Sequence, residues 1–240
     1  MIVAAHQPHY LPWLGYLDKL AKADLFVVMD DLQYEAQNFQ NRQRLKLAAG
    51  PAWLTVPLLH DAQSARICDK RIDNGGGLRH HWQSRHWRSL AVHYGPAPFF
   101  SAYADELREI YARTWDSLVE LDLFVLELAR RWLAIETPIV RASSLGLRGA
   151  KTERLVDLCK TVGAHAYLTG SGGSAGYLDA ERMGRAGIGV IWQAFDHPRH
   201  AQRYAGFASH MGFLDLVLNC GPRSRDILFD RAHPLRMRAS

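Results

Sequence analysis

At 240 residues, with 48% hydrophobic and 22% charged side chains, the chain can bury one large core, and no Pro-, Ser- or Gly-rich linker divides it, so a single domain over 1–240 is expected. Its net charge of +5 comes from arginine-heavy segments mixed with acids elsewhere, which fits a small anionic molecule such as a sugar nucleotide as partner, with no nucleic acid expected. No apolar run approaches the roughly 20 residues of a membrane helix, and the start lacks the basic region of a signal peptide, so no membrane span and a cytoplasmic location are expected.

Residues 2–5 read as a short apolar strand, and Pro8 and Pro12 then deny the chain both a helix and a continuing ladder. Leu14, Leu17, Leu20 and Ala21 resume helical spacing over 14–23, and 24–29 form a nearly continuous apolar run suited to a strand buried on both faces. The polar residues His6, Gln7 and 30–33 then stand at the carboxyl ends of two strands, where open parallel sheets bind ligands. Alternation over 42–47, a turn at Ala49, Gly50 and Pro51, and the aromatic and β-branched run 53–58 predict a hairpin. A short strand is expected around 66–72 and a helix over 78–94. Trp82 and Trp87 on that helix read as core in preference to stacking platforms. Two runs of helical spacing, 107–118 and 121–132, make the bulk of the helical layer. A strand over 139–142 leads to a helix with Thr152 as N-cap. A second strand, loop, helix, strand unit covers 165–169, 170–176, 177–185 and 188–194, and a short apolar helix over 213–219 precedes an arginine-rich end expected to be mobile. The fold expected is α/β, a single domain with a mixed, mostly parallel sheet flanked by helices, Rossmann-like.

Several blocks resemble, in order and spacing, the WbqC-like family. They are His6, Gln7, Pro8 through Pro12, Trp13, Leu14, Gly15; Asp30, Asp31, Leu32, Gln33, Tyr34; Asn41, Arg42; and Trp53 to Pro57. Later blocks are Glu153, Arg154, Leu155; Tyr167 to Gly170; and Phe213 to Gly221. The resemblance covers nearly the whole chain. It implies a bacterial enzyme of surface-polysaccharide (O-antigen) assembly, an acyl or aminoacyl transferase, with glycine a candidate group, acting on a sugar or nucleotide sugar.

The residues themselves nominate catalytic and binding groups. His6 and His9 are the general acid/base candidates, because imidazole titrates near neutral pH and both flank the expected crevice. Asp31 would orient the acceptor, while Asp30 binds Mg²⁺ or a sugar hydroxyl or forms a structural turn. Arg42 and Lys46 share one strand face and suit a phosphate, as does Lys151 after the near-miss phosphate loop at 146–152. Gly170, Ser171 and Gly172 open a loop matching the relaxed G-x-G-x-x-[GA] pattern, with Asp196 at about the distance of a ribose-binding acid. Gln7, Tyr10, Trp13, Gln33 and Asn219, polar or aromatic members of the quoted blocks, complete the substrate-binding set. No metal site is expected, since the His-x-x-His pairs at 6/9 and 197/200 lack a third ligand set. Cys68, Cys159 and Cys220 have no C-x-x-C spacing and read as reduced bystanders. No cofactor is fixed by these residues; ATP with Mg²⁺ ranks ahead of NAD. Two other classes stay open. One is a nucleotide-dependent ligase or oxidoreductase using the 170–176 loop, and the other a non-catalytic assembly protein that binds sugar nucleotides.

Overall fold

A computed structural model describes residues 1–62, 65–75, 81–170, 172 and 176–229. In chain order its strands are β1 (Ile2–His6), β2 (Leu25–Val28), β3 (Arg42–Leu47), β4 (Gly50–Thr55), β5 (Ile139–Arg141), β6 (Ala166–Thr169) and β7 (Gly189–Trp192). Its helices are α1 (Leu14–Ala21), α2 (Trp82–Tyr94), α3 (Phe100–Ala112), α4 (Leu118–Trp132), α5 (Lys151–Val162), α6 (Ala180–Arg185), α7 (Phe213–Cys220) and α8 (Ser224–Leu228).

The apolar strands assemble into a five-stranded parallel sheet in the order β5-β2-β1-β6-β7. β1 is its middle strand, in register with β2 from Val3 opposite Leu25 to His6 opposite Val28, and with β6 from Ile2 opposite Ala166. Successive residues point to opposite faces, so each strand feeds two cores. Ala4, Phe26, Val28 and Leu168 pack with α1, α2, α3, α4 and α7 on one face. Val3, Ala5, Val27, Met29 and Tyr167 pack with α5 and α6 on the other. Burial on both sides is why these segments read as unbroken apolar runs. The strand order reverses between β1 and β6, which sets a topological switch point at their carboxyl ends.

The α/β architecture is the one expected, and the structure refines its parts. The hairpin β3-β4 forms a separate antiparallel sheet, so the main sheet is wholly parallel. Its alternation buries Gln43 and Leu45 on one face, and on the other Lys46 is buried as well. It docks through Lys46 N–H on the Tyr94 hydroxyl (3.1 Å) and Gln43 Nε2 on the Leu11 carbonyl (3.0 Å). Residues 66–72 are not a strand: Ile67–Asp69 form a 3₁₀ turn whose neighbours make only isolated bridges. The Ile67 and Cys68 amides bond instead to the carbonyls of Leu32 and Asp30 (2.9 and 2.7 Å), which pulls this turn under the end of β2. Thr152 is the second residue of α5 and not its N-cap. Its hydroxyl donates to the Tyr177 carbonyl (2.9 Å) and accepts from the Asp179 amide (3.0 Å). Helix α6 starts at Ala180, capped by Asp179, which accepts from Arg182 N–H (2.9 Å). The arginine-rich end expected to be mobile begins after Pro222, but its first part is ordered, Arg223 closing a 3₁₀ turn and Ser224–Leu228 forming α8, while 230–240 lie outside the described residues. Among the described residues no helix is long and apolar enough to cross a membrane.

One buried group runs against this economy. Asp122 on α4 is 1% exposed, and neither carboxyl oxygen has a hydrogen-bond partner among the described residues. Burial pushes its carboxyl well above the usual carboxylate range. A folded-state value raised above the unfolded one stabilises the protein most at acid pH, and that contribution fades as pH climbs from about 4 toward the folded value. Asp122→Asn, which cannot ionise, should therefore gain on the wild type by about 1–3 kcal/mol as pH rises. Denaturant unfolding of both at pH 5 and pH 8 measures this, and an unchanged difference between the two pH values would disprove it.

Candidate functional site

Where β1 ends, the chain must leave the sheet, because Pro8 and Pro12 lack donors and Leu11 takes a positive φ of 47°. The excursion is held by Tyr10 N–H on the Phe39 carbonyl (3.1 Å) and Phe213 N–H on the Pro12 carbonyl (2.9 Å). Helix α1 then starts without a side-chain cap. The Trp13 ring lies across Gly15, where a Cβ would come within 2.2 Å of the indole. Only glycine leaves room for that ring. Trp13 also stacks on His210, with centroids 5.3 Å apart.

This excursion opens a crevice of about 610 Å³ at the switch point, walled by Ala5, His6, Gln7, His9, Gly15, Tyr16 and Lys19, by Tyr167 and Gly170 after β6, and by Phe39 opposite. A slightly larger cavity, about 660 Å³, lies between α1 and α8 and holds Asp196 and Arg225. The crevice at the strand ends is the better candidate, because it gathers ionisable groups at the place where parallel sheets bind ligands.

The His6 and His9 rings meet edge to face with centroids 4.6 Å apart, and Tyr16 lies 4.9 and 5.1 Å from them. His6 Nδ1 lies 3.1 Å from the Gln7 carbonyl. A carbonyl only accepts, so Nδ1 carries the proton and Nε2 keeps its lone pair. His9 Nδ1 is buried with no partner among the described residues. Burial, then the charge of Lys19, lowers both imidazoles, His6 well below its ordinary value and His9 to about 3. Lys19 is 5% exposed, and burial alone brings it down to about 7. Its ammonium donates to the Ala5 carbonyl (3.1 Å). The crevice thus holds two uncharged imidazoles beside an amine poised at neutrality.

Other nominated residues divide by position. Gln7 faces the crevice and accepts from Gln40 Nε2 (2.9 Å). Gly170 and Gly172 line it, while Ser171 lies outside the described residues. Asp31 stands beside it in the turn after β2, ion-paired with Arg154, with Oδ1 left unpartnered. Asp30 is fully engaged, accepting from Arg141 Nε (2.7 Å), Ser143 N–H (2.9 Å) and Ser143 Oγ (2.7 Å), so its role is structural but is to tie the end of β2 to the end of β5 and not to form a local turn. Tyr10 is core, bonded to His86 Nδ1 (2.9 Å) and the Tyr111 hydroxyl (3.0 Å). Gln33 is an exposed bridge partner of Arg66. The Arg42 guanidinium sits 4.2 Å over Trp53. Lys46 is anchored on the Tyr204 carbonyl (3.1 Å), and Lys151 is exposed at the start of α5. Asn219 on α7 donates to the Asp215 carbonyl (2.7 Å) and lines a different cavity with Arg199 and Arg223. A dinucleotide loop would turn directly into a helix after Gly170, whereas α6 begins only at Ala180, and Asp196 is in the other cavity.

Lys19 and Tyr16 were not among the nominated residues. Their only signal is an i, i+3 pair set off the Leu14, Leu17, Leu20 stripe, in a helix whose residues from Leu14 to Leu20 are all buried. Because both histidines are held neutral, an imidazole ¹⁵N titration should find both midpoints below the ordinary 6.5, that of His9 at about 3, and a midpoint at or above 6.5 for either would contradict the described burial. The sign for stability follows. Folded values below the unfolded one give a contribution that is complete above about 6.5 and is lost as pH falls toward 3.

Comparison with known proteins places the chain. "Uncharacterized protein Rv1507c" of Mycobacterium tuberculosis is 32% identical over 228 residues, covering 94% of this chain and 96% of that protein. No solved structure matches the chain. A family model described as "WbqC-like protein family" matches residues 7–227. With a match from Gln7 in the crevice wall to α8, and a relative alike over nearly its whole length, the chain belongs to the WbqC-like protein family.

Proposed function

We propose that the chain is a cytoplasmic transferase that moves an acyl or aminoacyl group, glycine being a candidate, onto an amine or hydroxyl of a sugar or nucleotide sugar for surface-polysaccharide (O-antigen) assembly. The observation that supports this most is the uncharged His6 imidazole in the crevice, its Nδ1–H fixed on the Gln7 carbonyl and its Nε2 lone pair without a hydrogen-bond partner among the described residues. That is the arrangement a general base needs.

In this reading the acceptor nitrogen or oxygen attacks the carbonyl carbon of an activated donor while His6 Nε2 takes the proton from it. The donor's leaving group departs with the bonding pair, and the proton on His6 then passes to that group or to water. His9, edge to face with His6 at 4.6 Å, offers Nδ1 as a second site for the acceptor or the departing group. Asp31, with Oδ1 unpartnered, orients the acceptor hydroxyl. Positioned proton transfer of this kind contributes about 10²–10⁴-fold to rate.

The test pairs binding with product. A thermal-shift panel of UDP- and GDP-sugars, ATP with Mg²⁺, coenzyme A thioesters and glycine should show a raised midpoint with a sugar nucleotide, because a ligand of the folded state stabilises it. Mass analysis of the acceptor should then show the added acyl group. His6→Ala should lower kcat by about 10²–10⁴-fold while unfolding as the wild type does. Full turnover in that variant removes His6 from the mechanism, and saturable binding with no product under any donor replaces the transferase with a binding protein.

A further inference from the structure

The inner end of the crevice gathers an amine and two imidazoles, and among the described residues no unengaged carboxylate answers the amine. Lys19 comes from α1, His6 from the end of β1 and His9 from the excursion after it. Lys19 makes no ion pair among the described residues, and its one bond, to the Ala5 carbonyl at 3.1 Å, leaves other ammonium protons unassigned. Acids nearby are otherwise occupied. Asp18, the next residue on α1, holds Lys22 Nζ (2.9 Å) and Gln193 Nε2 (2.7 Å). Asp31 pairs with Arg154. Glu35 lines the crevice but is exposed and accepts from Asn38 Nδ2 (2.8 Å). The remaining ionisable groups facing this space are the phenols of Tyr16, Tyr167 and Tyr177. Asp122, which acts electrostatically on Tyr16, is buried on α4, and burial disfavours its charged form.

Buried ammonium groups are ordinarily matched by a carboxylate, since an isolated charge away from water is strongly disfavoured. Here the counter-charge is missing, and a buried, partnerless His9 Nδ1 stands beside the gap. We infer that the inner crevice receives an oxyanion of the ligand, a phosphate or carboxylate, held by Lys19 with His9 and His6 alongside, and that the site takes up a proton as the ligand binds. This rests on the crevice being the substrate site, as in the proposed function, and not on the transfer chemistry. It also assigns the anion contact to Lys19, since Arg42, Lys46 and Lys151 are absent from the crevice walls.

Proton uptake follows from linkage. The free amine is half protonated at about pH 7, and an adjacent anion favours the charged form. Above pH 7 the apparent affinity should fall up to tenfold per pH unit, with close to one proton taken up at pH 8 and little at pH 6. Calorimetry with inorganic sulfate, which is shaped like phosphate but does not titrate in this range, reads the uptake from the heat in buffers of different ionisation enthalpy. Phosphate and acetate arms separate the two sources of the anion, and uptake with acetate alone assigns the carboxylate. Lys19→Met should weaken anion binding at least tenfold and abolish the uptake, whereas Lys19→Arg should bind without uptake. Equal binding by wild type and Lys19→Met, binding without uptake by wild type, or no binding of any of the three anions would overturn the inference. The wild-type uptake stands without any variant. Loss of turnover in His6→Ala is independent of all these outcomes, so the two readings fail separately.

Discussion

The middle strand of a doubly covered parallel sheet must hand its hydrogen-bonding groups to both neighbours, and β1 does so until His6, whose carbonyl accepts from Met29 N–H at 2.8 Å. Two residues later Pro8 cannot donate, and the chain has to find other partners. It finds them in the Phe39 carbonyl, which accepts from Tyr10 N–H, and in Phe213 N–H, which donates to the Pro12 carbonyl. The crevice exists because the central strand stops short while the two cores around it continue. Every site feature, from the orientation of His6 to the placement of Trp13 over Gly15, derives from that forced exit.

Within the crevice one physical term dominates. Burial disfavours charge on His6, His9 and Lys19 alike, and Lys19 further disfavours charge on the two imidazoles. An imidazole held this low is reliably unprotonated but is a weak base. An anion settled against Lys19 would offset its charge and let both imidazoles rise toward neutrality, strengthening the base only when the site is filled. In the proposed reading, the ligand's charge and the proton chemistry of His6 are thereby linked through a single amine. The same low-dielectric surroundings disfavour charge on the Asp122 carboxyl and on the Tyr16 phenol it influences.

The fold was largely legible because its signals are periodic. The apolar run at 2–5 and the nearly continuous one at 24–29 suit a strand covered on both faces, and the prolines marked where the first had to end. The hairpin was visible as a hairpin, but its separation from the main sheet was not, since pairing depends on Tyr94 and Leu11 far along the chain. Segment 66–72 misled because its β-branched and charged alternation says nothing of carbonyls at Asp30 and Leu32 waiting for its amides. Among site residues, His6, His9 and Gln7 were readable from their place at a strand end. Lys19 was not, because a lysine inside a helical stripe ordinarily snorkels to water, and only the packing of α1 against β1 and β6 turns it inward. Arg42 and Lys46 drew attention through charge alone, yet an indole and a backbone carbonyl occupy them.

The sheet order also governs how the protein comes into being. β1 pairs with β2 almost at once in sequence, but its other edge waits for β6, since Ile2 lies opposite Ala166. During synthesis that edge of the most hydrophobic strand pair stays unpaired until well over half of the chain has emerged, a state prone to mispairing and to capture by chaperones. Closing so distant a contact slows folding. The crevice has no second wall until then, so a nascent chain cannot hold the ligand, and ligand recognition becomes a property acquired only with the last part of the fold.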